Sequence, residues 1–311
     1  MKIVFLDIKT IGEDLDLTFF EELGEIVRYS YTKEEEIEER VKDADVLIVN
    51  KIPVNEKTVG SARRLKLVCV TATGTDNLDK EYLKSHNIEW RNVAGYSTES
   101  VAQHTFAMLF YLMENLRYYD DYVKNKCYVN DTMFTHFGRQ FHQLSDMRWG
   151  IIGLGNIGRR VADLASMFGA DVIYYSTSHA EPQEGYHKTD LDTLLSTSDI
   201  VSVHAPLNED TVGLMDEKAF AKMKESAIFL NLGRGPIVKE KALADALKEK
   251  KILAAGLDVL ESEPMKDTSD FLELLDSDRL LITPHIGWAS VEARKNLMNI
   301  VFHQILDFLN C

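Results

Sequence analysis

Three residues of this chain have the types and settings for proton and anion chemistry. Arg234 lies in Asn231-Leu232-Gly233-Arg234-Gly235-Pro236. A glycine on each side leaves its guanidinium unshielded, and that planar fork suits bidentate binding of a carboxylate. Glu263 lies in Asp258-Val259-Leu260-Glu261-Ser262-Glu263-Pro264, and His285 in Thr283-Pro284-His285-Ile286-Gly287-Trp288. General acid–base chemistry at neutral pH needs a proton donor that ionises near neutrality, and histidine is the side chain of that kind. A carboxylate beside it would hold the ring and favour the imidazolium. Taken singly, each has a bland reading: a surface cation, a solvated loop acid, a capping or core histidine. What they share is position, since each follows an apolar run that reads as a strand.

The second constellation is Trp149-Gly150-Ile151-Ile152-Gly153-Leu154-Gly155-Asn156-Ile157-Gly158. An apolar run ends in three glycines, and an amphipathic pattern follows through Ile157, Val161, Leu164, Ala165 and Phe168, with Gly169 as a stop. Strand, glycine turn and helix in that order make a dinucleotide fingerprint: Gly153 for the tight turn, Gly155 for close approach of a pyrophosphate, Gly158 for helix-on-strand packing. Free N–H groups at the helix start bind the anion without a cationic side chain. Three glycines at this spacing are weak evidence alone; the strand–helix context is what strengthens them.

The elements that must position these residues alternate short apolar strands with helical patterns, which predicts parallel sheets with helices on both faces, an α/β fold. A first series has strands at Lys2–Leu6, Glu25–Tyr29, Val46–Val49 and Leu67–Thr71, with helices at Leu17–Leu23, Glu34–Lys42 and Asn55–Ala62 between them. A second begins with a long helix from about Glu99 to Val123 and continues with strands near Gly150–Ile152, Val172–Tyr175, Ile200–His204, Ala227–Leu230, Ala254–Leu257 and Leu280–Ile282. A helix over about Ser290–Leu309 closes the chain. Asn125–Arg148, aromatic, histidine-rich and without a period, is longer than an ordinary connection and reads as an arm or lid that packs on something.

With 311 residues, the chain is long enough for two domains with a core each. A net charge of −15 argues against nucleic acid or an anionic membrane as partner, and no apolar run approaches the ~20 residues of a membrane span. The N-terminus lacks a signal-peptide layout. Cys69, Cys127 and Cys311 are odd in number and scattered, so a disulfide framework or cysteine zinc site is not expected, and a reducing cytoplasm fits. His86, His136, His142, His187 and His303 show no metal-like spacing, and no catalytic metal is expected.

Nearly end to end, the chain resembles the D-isomer-specific 2-hydroxyacid dehydrogenases. The resemblance rests on Gly-Leu-Gly-Asn-Ile-Gly at 153–158, Ser198-Asp199-Ile200-Val201-Ser202-Val203-His204-Ala205-Pro206-Leu207, Gly-Arg-Gly at 233–235, Gly256-Leu257-Asp258-Val259 with Glu263-Pro264, and Pro284-His285. It implies two Rossmann-like doubly wound domains: a flavodoxin-like substrate domain from 1–97 and 284–311, and an NAD(P)-binding domain at 98–283. The active site would lie in the cleft, with closure excluding water. Arg234 would hold the substrate carboxylate and carbonyl, His285 would be the acid–base, Glu263 its partner, and Asp258 would contact the nicotinamide end. Gly153, Gly155, Asn156, Ile157 and Gly158 would hold the pyrophosphate, with Ser176, Thr177, His204 and Pro206 on the adenosine side. The carboxylate loop falls on Thr71-Ala72-Thr73-Gly74-Thr75-Asp76, so the backbone at Thr73 and Gly74 would receive the substrate carboxylate; Asn50 and Lys51 would face substrate from a second loop.

The resemblance further implies a homodimer joined through the cofactor domain, with the arm at Asn125–Arg148 packed on a second subunit. Trp288 after Pro284-His285-Ile286-Gly287, and Gly95-Tyr96-Ser97-Thr98-Glu99-Ser100-Val101-Ala102, resemble the glycerate dehydrogenase and hydroxypyruvate reductase branch. Hydroxypyruvate or glyoxylate is then the expected substrate, with D-lactate or another 2-hydroxy acid as alternative. A non-catalytic dinucleotide-sensing corepressor shares the fold and the triad, but here no basic run accompanies them. Formate dehydrogenase has no need of the Glu263–His285 pair.

Two positions depart from the pattern. An acid normally ends the second cofactor-domain strand and binds the NAD ribose; here Asp171-Val172-Ile173-Tyr174-Tyr175-Ser176-Thr177-Ser178-His179 puts Ser176 in its place. Repulsion of a 2′-phosphate is lost, but no lysine or arginine follows, so both NAD and NADP stay open. Leu232 replaces a threonine before Gly-Arg-Gly.

Overall fold

The structure is a computed structural model describing residues 1–178 and 185–310. His179 lies outside the described residues. The chain divides into two compact units, Met1–Ser97 with Trp288–Cys311, and Thr98–Gly287.

The first unit is built on a five-stranded parallel sheet. Its strands are β1 (Lys2–Phe5), β2 (Glu25–Arg28), β3 (Val46–Val49), β4 (Leu67–Val70) and β5 (Glu89–Arg91), in spatial order β2-β1-β3-β4-β5. Because side chains alternate along a strand, β1, β3 and β4 feed two cores. Val4, Leu47, Val49, Val68 and Val70 face one, with α1 (Glu34–Val41), α2 (Glu56–Val59) and α3 (Lys80–Ser85); Ile3, Phe5, Val46, Ile48, Leu67 and Cys69 face the other. The second core is capped by the closing helix Val291–Leu309 through Leu297, Met298, Val301 and Ile305. Ser290 caps that helix by accepting from the Ala293 N–H at 3.2 Å.

The second unit opens with α4 (Thr98–Met113) and α5 (Leu116–Lys124) and holds a seven-stranded parallel sheet. Its strands are β6 (Arg148–Ile152), β7 (Asp171–Tyr175), β8 (His187–Lys188), β9 (Ile200–Val203), β10 (Ile228–Asn231), β11 (Ala254–Leu257) and β12 (Leu280–Ile282), ordered β12-β11-β10-β9-β6-β7-β8. The order reverses between β6 and β9, the switch point at which open α/β sheets bind ligands beyond the carboxyl ends of their strands. Among the crossover helices, α6 (Asn156–Met167) follows β6.

Several local expectations are corrected. The helix expected over Glu99–Val123 is two helices, because Asn115 turns left-handed at φ 54° and Asn pays little for that conformation. Leu17–Leu23 is a 3₁₀ turn over Thr18–Leu23, and Asn55–Ala62 shortens to Glu56–Val59. The structure also holds β5, β8 and the short helix Lys80–Ser85, which the apolar pattern does not predict. The boundary expected at 283/284 falls at 287/288, because Ile286 and Gly287 donate their N–H groups to Asp258 of the second unit.

The arm carries a 3₁₀ turn at Tyr128–Asn130 and folds back on α5. The Tyr122 and His136 rings stack at 3.8 Å, the Tyr119 hydroxyl donates to the Arg139 carbonyl at 2.6 Å, and Arg139 pairs with Asp278 at 2.6 Å. Its outer side leaves Phe134 and Phe137 89% and 85% exposed. Among the described residues no helix is long and apolar enough to cross a membrane, and Cys69 and Cys127 are free thiols.

Candidate active site

The glycine turn after β6 shows three different uses of a missing Cβ. Gly153 has φ +92°, and a Cβ on it would lie 2.6 Å from the backbone of Ala205. A Cβ on Gly158 would lie 2.0 Å from the Gly153 carbonyl oxygen, so only glycine lets α6 sit this close to its strand. A Cβ on Gly155 would meet nothing within 4 Å. Its backbone is open, and the following helix start at Asn156 and Ile157 has no side-chain cap. Open N–H groups over a glycine at the start of a long helix form the cradle a pyrophosphate requires. The residues present therefore fit a dinucleotide.

Beside the turn lies a cavity of about 220 Å³ bounded by Gly153, Ser176, Thr177, Ser178, Pro206 and Asp210, among others. The Ser176 hydroxyl, at the end of β7, accepts from the Ser178 N–H at 3.1 Å. Three consecutive hydroxyl-bearing residues thus line the cavity, with Asp210 from the loop after β9. His204 stands at the end of β9, but its ring turns inward and does not line this cavity. Its Nε2 lies 3.1 Å from the Ser202 hydroxyl, which accepts from the indole N–H of fully buried Trp149 at 2.8 Å. His204 Nδ1 is buried without a hydrogen bond among the described residues, and burial drives the imidazole down to about 3, so it is neutral.

Arg234, Glu263 and His285 follow β10, β11 and β12, three adjacent strands, at their carboxyl ends. His285 Nδ1 and Glu263 Oε2 lie 2.7 Å apart, and the other Glu263 oxygen accepts from the Leu260 N–H at 3.0 Å. His285 holds a left-handed backbone, φ 55°, which for a residue with a side chain marks a position held by its surroundings. The turn carrying Arg234 is held by the buried Asn231: its Oδ1 accepts from the Gly233 N–H and its Nδ2 donates to the Arg234 carbonyl, both at 3.1 Å. Arg234 donates from Nη1 to the Gly233 carbonyl at 2.9 Å. Gly235 presses on the next loop, where a Cβ would lie 1.8 Å from the Leu260 carbonyl oxygen. The two loops thus touch backbone to backbone.

Asp258 ends β11 and is buried. Its Oδ1 accepts from the Thr283 hydroxyl at 2.6 Å and the Ile286 N–H at 2.8 Å, and its Oδ2 from the Gly287 N–H at 2.8 Å. Burial pushes its carboxyl pKa up, but hydrogen bonds from His104, Thr283, Gly287 and Ile286 outweigh that and leave it below the ordinary carboxylate value. It is an anion at neutral pH. Sequence reasoning named Asp258 but missed Asn231 as a clamp, Thr283, and the α4 residues Ser100 and His104. The available signal was the four-residue spacing of Ser100 and His104, which puts both polar groups on one helix face.

Lys51, Thr73 and Gly74 belong to the first unit. Asn50 and Lys51 follow β3, and their N–H groups are taken by the buried Asp7 carboxylate at 2.9 and 2.7 Å; burial raises the Asp7 pKa despite these bonds. Thr73 follows the neighbouring β4, with its hydroxyl on the Val93 carbonyl at 3.0 Å and its own carbonyl accepting from Asn92 Nδ2 at 2.6 Å. A cavity of about 450 Å³ lies at the β1/β3 switch point, lined by Asp7, Tyr31, Lys51 and Asn55, among others. In the second unit, a wider depression lined by Arg148, Asp171 and Asp199 sits at the amino ends of β6, β7 and β9, the wrong end for a ligand.

A family model described as D-isomer specific 2-hydroxyacid dehydrogenase, NAD binding domain, matches residues 106–287. A hydroxypyruvate reductase of Blautia hydrogenotrophica is 35% identical over 315 residues, covering 99% of this chain and 97% of that protein. Among solved structures, an acyclic imino acid reductase in complex with NADPH and D-Arg is similar with a TM-score of 0.88 and 28% identity, over 100% of this chain and 97% of that one. A D-lactate dehydrogenase from Aquifex aeolicus, complexed with NAD and lactic acid, gives 0.86 and 27%, over 99% and 95%. With the family model over more than half its length and the glycine turn it describes, this chain belongs to the D-isomer specific 2-hydroxyacid dehydrogenases, enzymes that act on CH–OH.

Proposed function

We propose that the chain reduces a small 2-keto acid to its D-2-hydroxy acid, with hydroxypyruvate and glyoxylate as substrates and D-glycerate and glycolate as products. The observation that carries the assignment is the 2.7 Å contact of His285 Nδ1 with Glu263 Oε2 at the carboxyl ends of the same parallel sheet that carries the glycine turn. The choice of substrate is supported by Trp288 after Gly287, by the segment Gly95–Ala102, and by the similarity to a hydroxypyruvate reductase.

In this reading, Arg234 binds the substrate carboxylate and carbonyl oxygen through its fork. When bound, a nicotinamide dinucleotide would supply the hydride to C2 and so account for the two electrons of the reduction. Because Glu263 occupies Nδ1, His285 offers the substrate its other nitrogen. The Nε2 proton passes to the former carbonyl oxygen, completing the hydroxyl, and the neutral ring keeps its Nδ1–H on Glu263. Solvent then restores the proton. The same reading gives Thr73, Gly74 and Lys51, at the carboxyl ends of β4 and β3, to the substrate. Gly153, Gly155, Asn156, Ile157 and Gly158 go to the pyrophosphate, and Ser176, Thr177 and Pro206 to the adenosine end. His204 supports that end from below, and Asp258 takes the nicotinamide side.

The chain is further read as a homodimer joined through residues 125–148. Support comes from the arm, which is fastened on its inner side and leaves Phe134 and Phe137 outward.

The test is the purified protein with hydroxypyruvate, glyoxylate, pyruvate and longer 2-keto acids, each with NADH and NADPH, followed by loss of reduced-nicotinamide absorbance. Fastest turnover with hydroxypyruvate or glyoxylate is expected. A preference for pyruvate makes it a lactate-type member instead. Cofactor binding with no turnover on any acid would favour a dinucleotide sensor and sink the catalytic reading.

A further inference from the structure

The loop that carries His285 is gripped from a helix distant in sequence. On α4, Ser100 and His104 stand one turn apart. The Ser100 hydroxyl donates to the Gly287 carbonyl at 2.7 Å. His104 Nε2 lies 3.0 Å from the Thr283 hydroxyl and 3.5 Å from Asp258 Oδ1. The packing is close enough that a Cβ on Gly287 would lie 2.8 Å from Asp258 Oδ2 and 3.3 Å from His104 Cδ2.

A proton inventory fixes the tautomer. Thr283 has one hydroxyl hydrogen, and the 2.6 Å bond to Asp258 uses it, since an ionised carboxylate only accepts. The Thr283 oxygen can then only accept from His104, so His104 Nε2 carries a hydrogen. The same N–H faces Asp258 Oδ1. The order of connection is therefore His104 to Thr283 and Asp258, Asp258 to the N–H groups of Ile286 and Gly287, and those two residues to the left-handed backbone of His285.

We propose that His104 is a positioning residue for the reduction: its Nε2–H holds Thr283 and Asp258 so that the 283–287 loop presents the His285 ring at a fixed angle. This rests on the reading of His285 as proton donor. His104 touches no reacting atom in this role. Its removal lowers the proportion of correctly aimed His285 rings and leaves Arg234, two strands away after β10, unaltered. The loss therefore falls on kcat and not on the KM for the keto acid.

The experiment compares His104→Leu and His104→Gln with the parent, using the 2-keto acid the parent reduces fastest. It measures kcat, KM, the NADH dissociation constant, the melting temperature and, in protein without cofactor, hydrogen exchange at the Ile286 and Gly287 amides. A glutamine amide can donate from nearly the place of Nε2. The expected result for His104→Leu is a kcat about 10- to 100-fold lower with KM unchanged, faster exchange at both amides, and a melting temperature near the parent's. His104→Gln recovers most of kcat and of the amide protection. If the leucine variant does not fold, Thr283→Val, which keeps the shape and removes the same link, takes its place with the same expectation.

Parent-like kcat in His104→Leu overturns the proposal, as does an equal loss in both variants that tracks melting temperature. If the parent reduces no 2-keto acid, the functional reading has failed separately; unchanged amide exchange in His104→Leu then overturns the clamp itself.

Discussion

His285 Nδ1 and Glu263 Oε2 lie 2.7 Å apart, and the second oxygen of the same carboxylate holds the Leu260 N–H at 3.0 Å. Glu263 thus fixes the ring on one side and its own loop on the other. Replacing His285 by Ala is expected to lower kcat by about 10²–10⁴-fold, the usual contribution of a positioned acid–base, with the NADH dissociation constant nearly unchanged. Glu263→Gln keeps the shape and removes the charge, so it is expected to lower kcat by a smaller factor. Arg234→Lys is expected to act through KM, because an ammonium cannot reproduce the fork. Steady-state kinetics with cofactor titration check all three, and undiminished turnover in His285→Ala would show that the proton comes from elsewhere.

Cofactor choice is expected to turn on Ser176. Together with Thr177 and Ser178 it lines the cavity, at the strand end where a ribose-binding acid would otherwise stand. NADPH is expected to be accepted, with a modest preference between the two cofactors. Ser176→Asp is expected to depress kcat/KM for NADPH more than it raises that for NADH, because a like charge against a phosphate costs more than one added hydrogen bond returns. Rejection of NADPH by orders of magnitude in the parent would place the discrimination on other residues.

Gly235 is where the Arg234 loop meets the Glu263 loop. A methyl group there would lie 1.8 Å from the Leu260 carbonyl oxygen, so the backbones must part. Gly235→Ala is expected to cost about 1–3 kcal/mol of stability, as overpacking does, and to raise the KM for the keto acid by moving Arg234. Denaturant midpoints and kinetics on the same preparation measure both. A variant with unchanged midpoint and KM would contradict the close approach.

His204 makes the fold sensitive to acid. Burial sets its folded pKa at about 3, against 6.5 for the unperturbed side chain. The unfolded chain therefore binds the proton more readily, and stability falls as pH drops below 6.5 toward 3. His204→Gln, which cannot titrate, is expected to flatten the acid limb of the stability–pH curve over that window, seen as a smaller drop in melting temperature between neutral and mildly acid buffer. Ser202→Ala removes the acceptor of the Trp149 indole N–H and is expected to cost about 1–3 kcal/mol at any pH, because a buried donor is left unpaired.

The arm gives a prediction about assembly. Phe134 and Phe137 present their rings outward while Tyr119, Tyr122 and Arg139 tie the segment down. Sedimentation is expected to give a dimer for the parent and a monomer for the double variant Phe134→Ser, Phe137→Ser. A monomeric parent would remove the assignment of this surface.

The positions of Arg234, Glu263 and His285 were legible because each lies just beyond an apolar strand, and adjacent parallel strands bring their carboxyl ends together. The glycine turn was legible for the same reason. Boundaries set by tertiary contact were not. Nothing around Glu114-Asn115 announces a helix break, since neither residue is glycine or proline, and the Pro284–Gly287 loop joins the second unit through hydrogen bonds to Asp258 that no local pattern encodes. The clamps escaped in the same way. Asn231 reads as a strand terminus and His104 as one polar residue on an apolar helix; their roles exist only once the loops are packed against them.

The Ser100–Gly287 hydrogen bond also has a topological meaning. It joins residues near the two ends of the second unit, so that the chain enters and leaves that body at nearly one point. On the other side of the same junctions, the Tyr96 and Trp288 rings of the first unit meet at 6.2 Å. The second unit is thus a closed insertion in a host whose cut edges already touch. Residues 98–287 carry both of their ends at one place, and a short bridge from Ser97 to Trp288 would reseal the host. This is the covalent layout of one domain spliced into another, and either piece can be separated without unthreading a strand from its sheet.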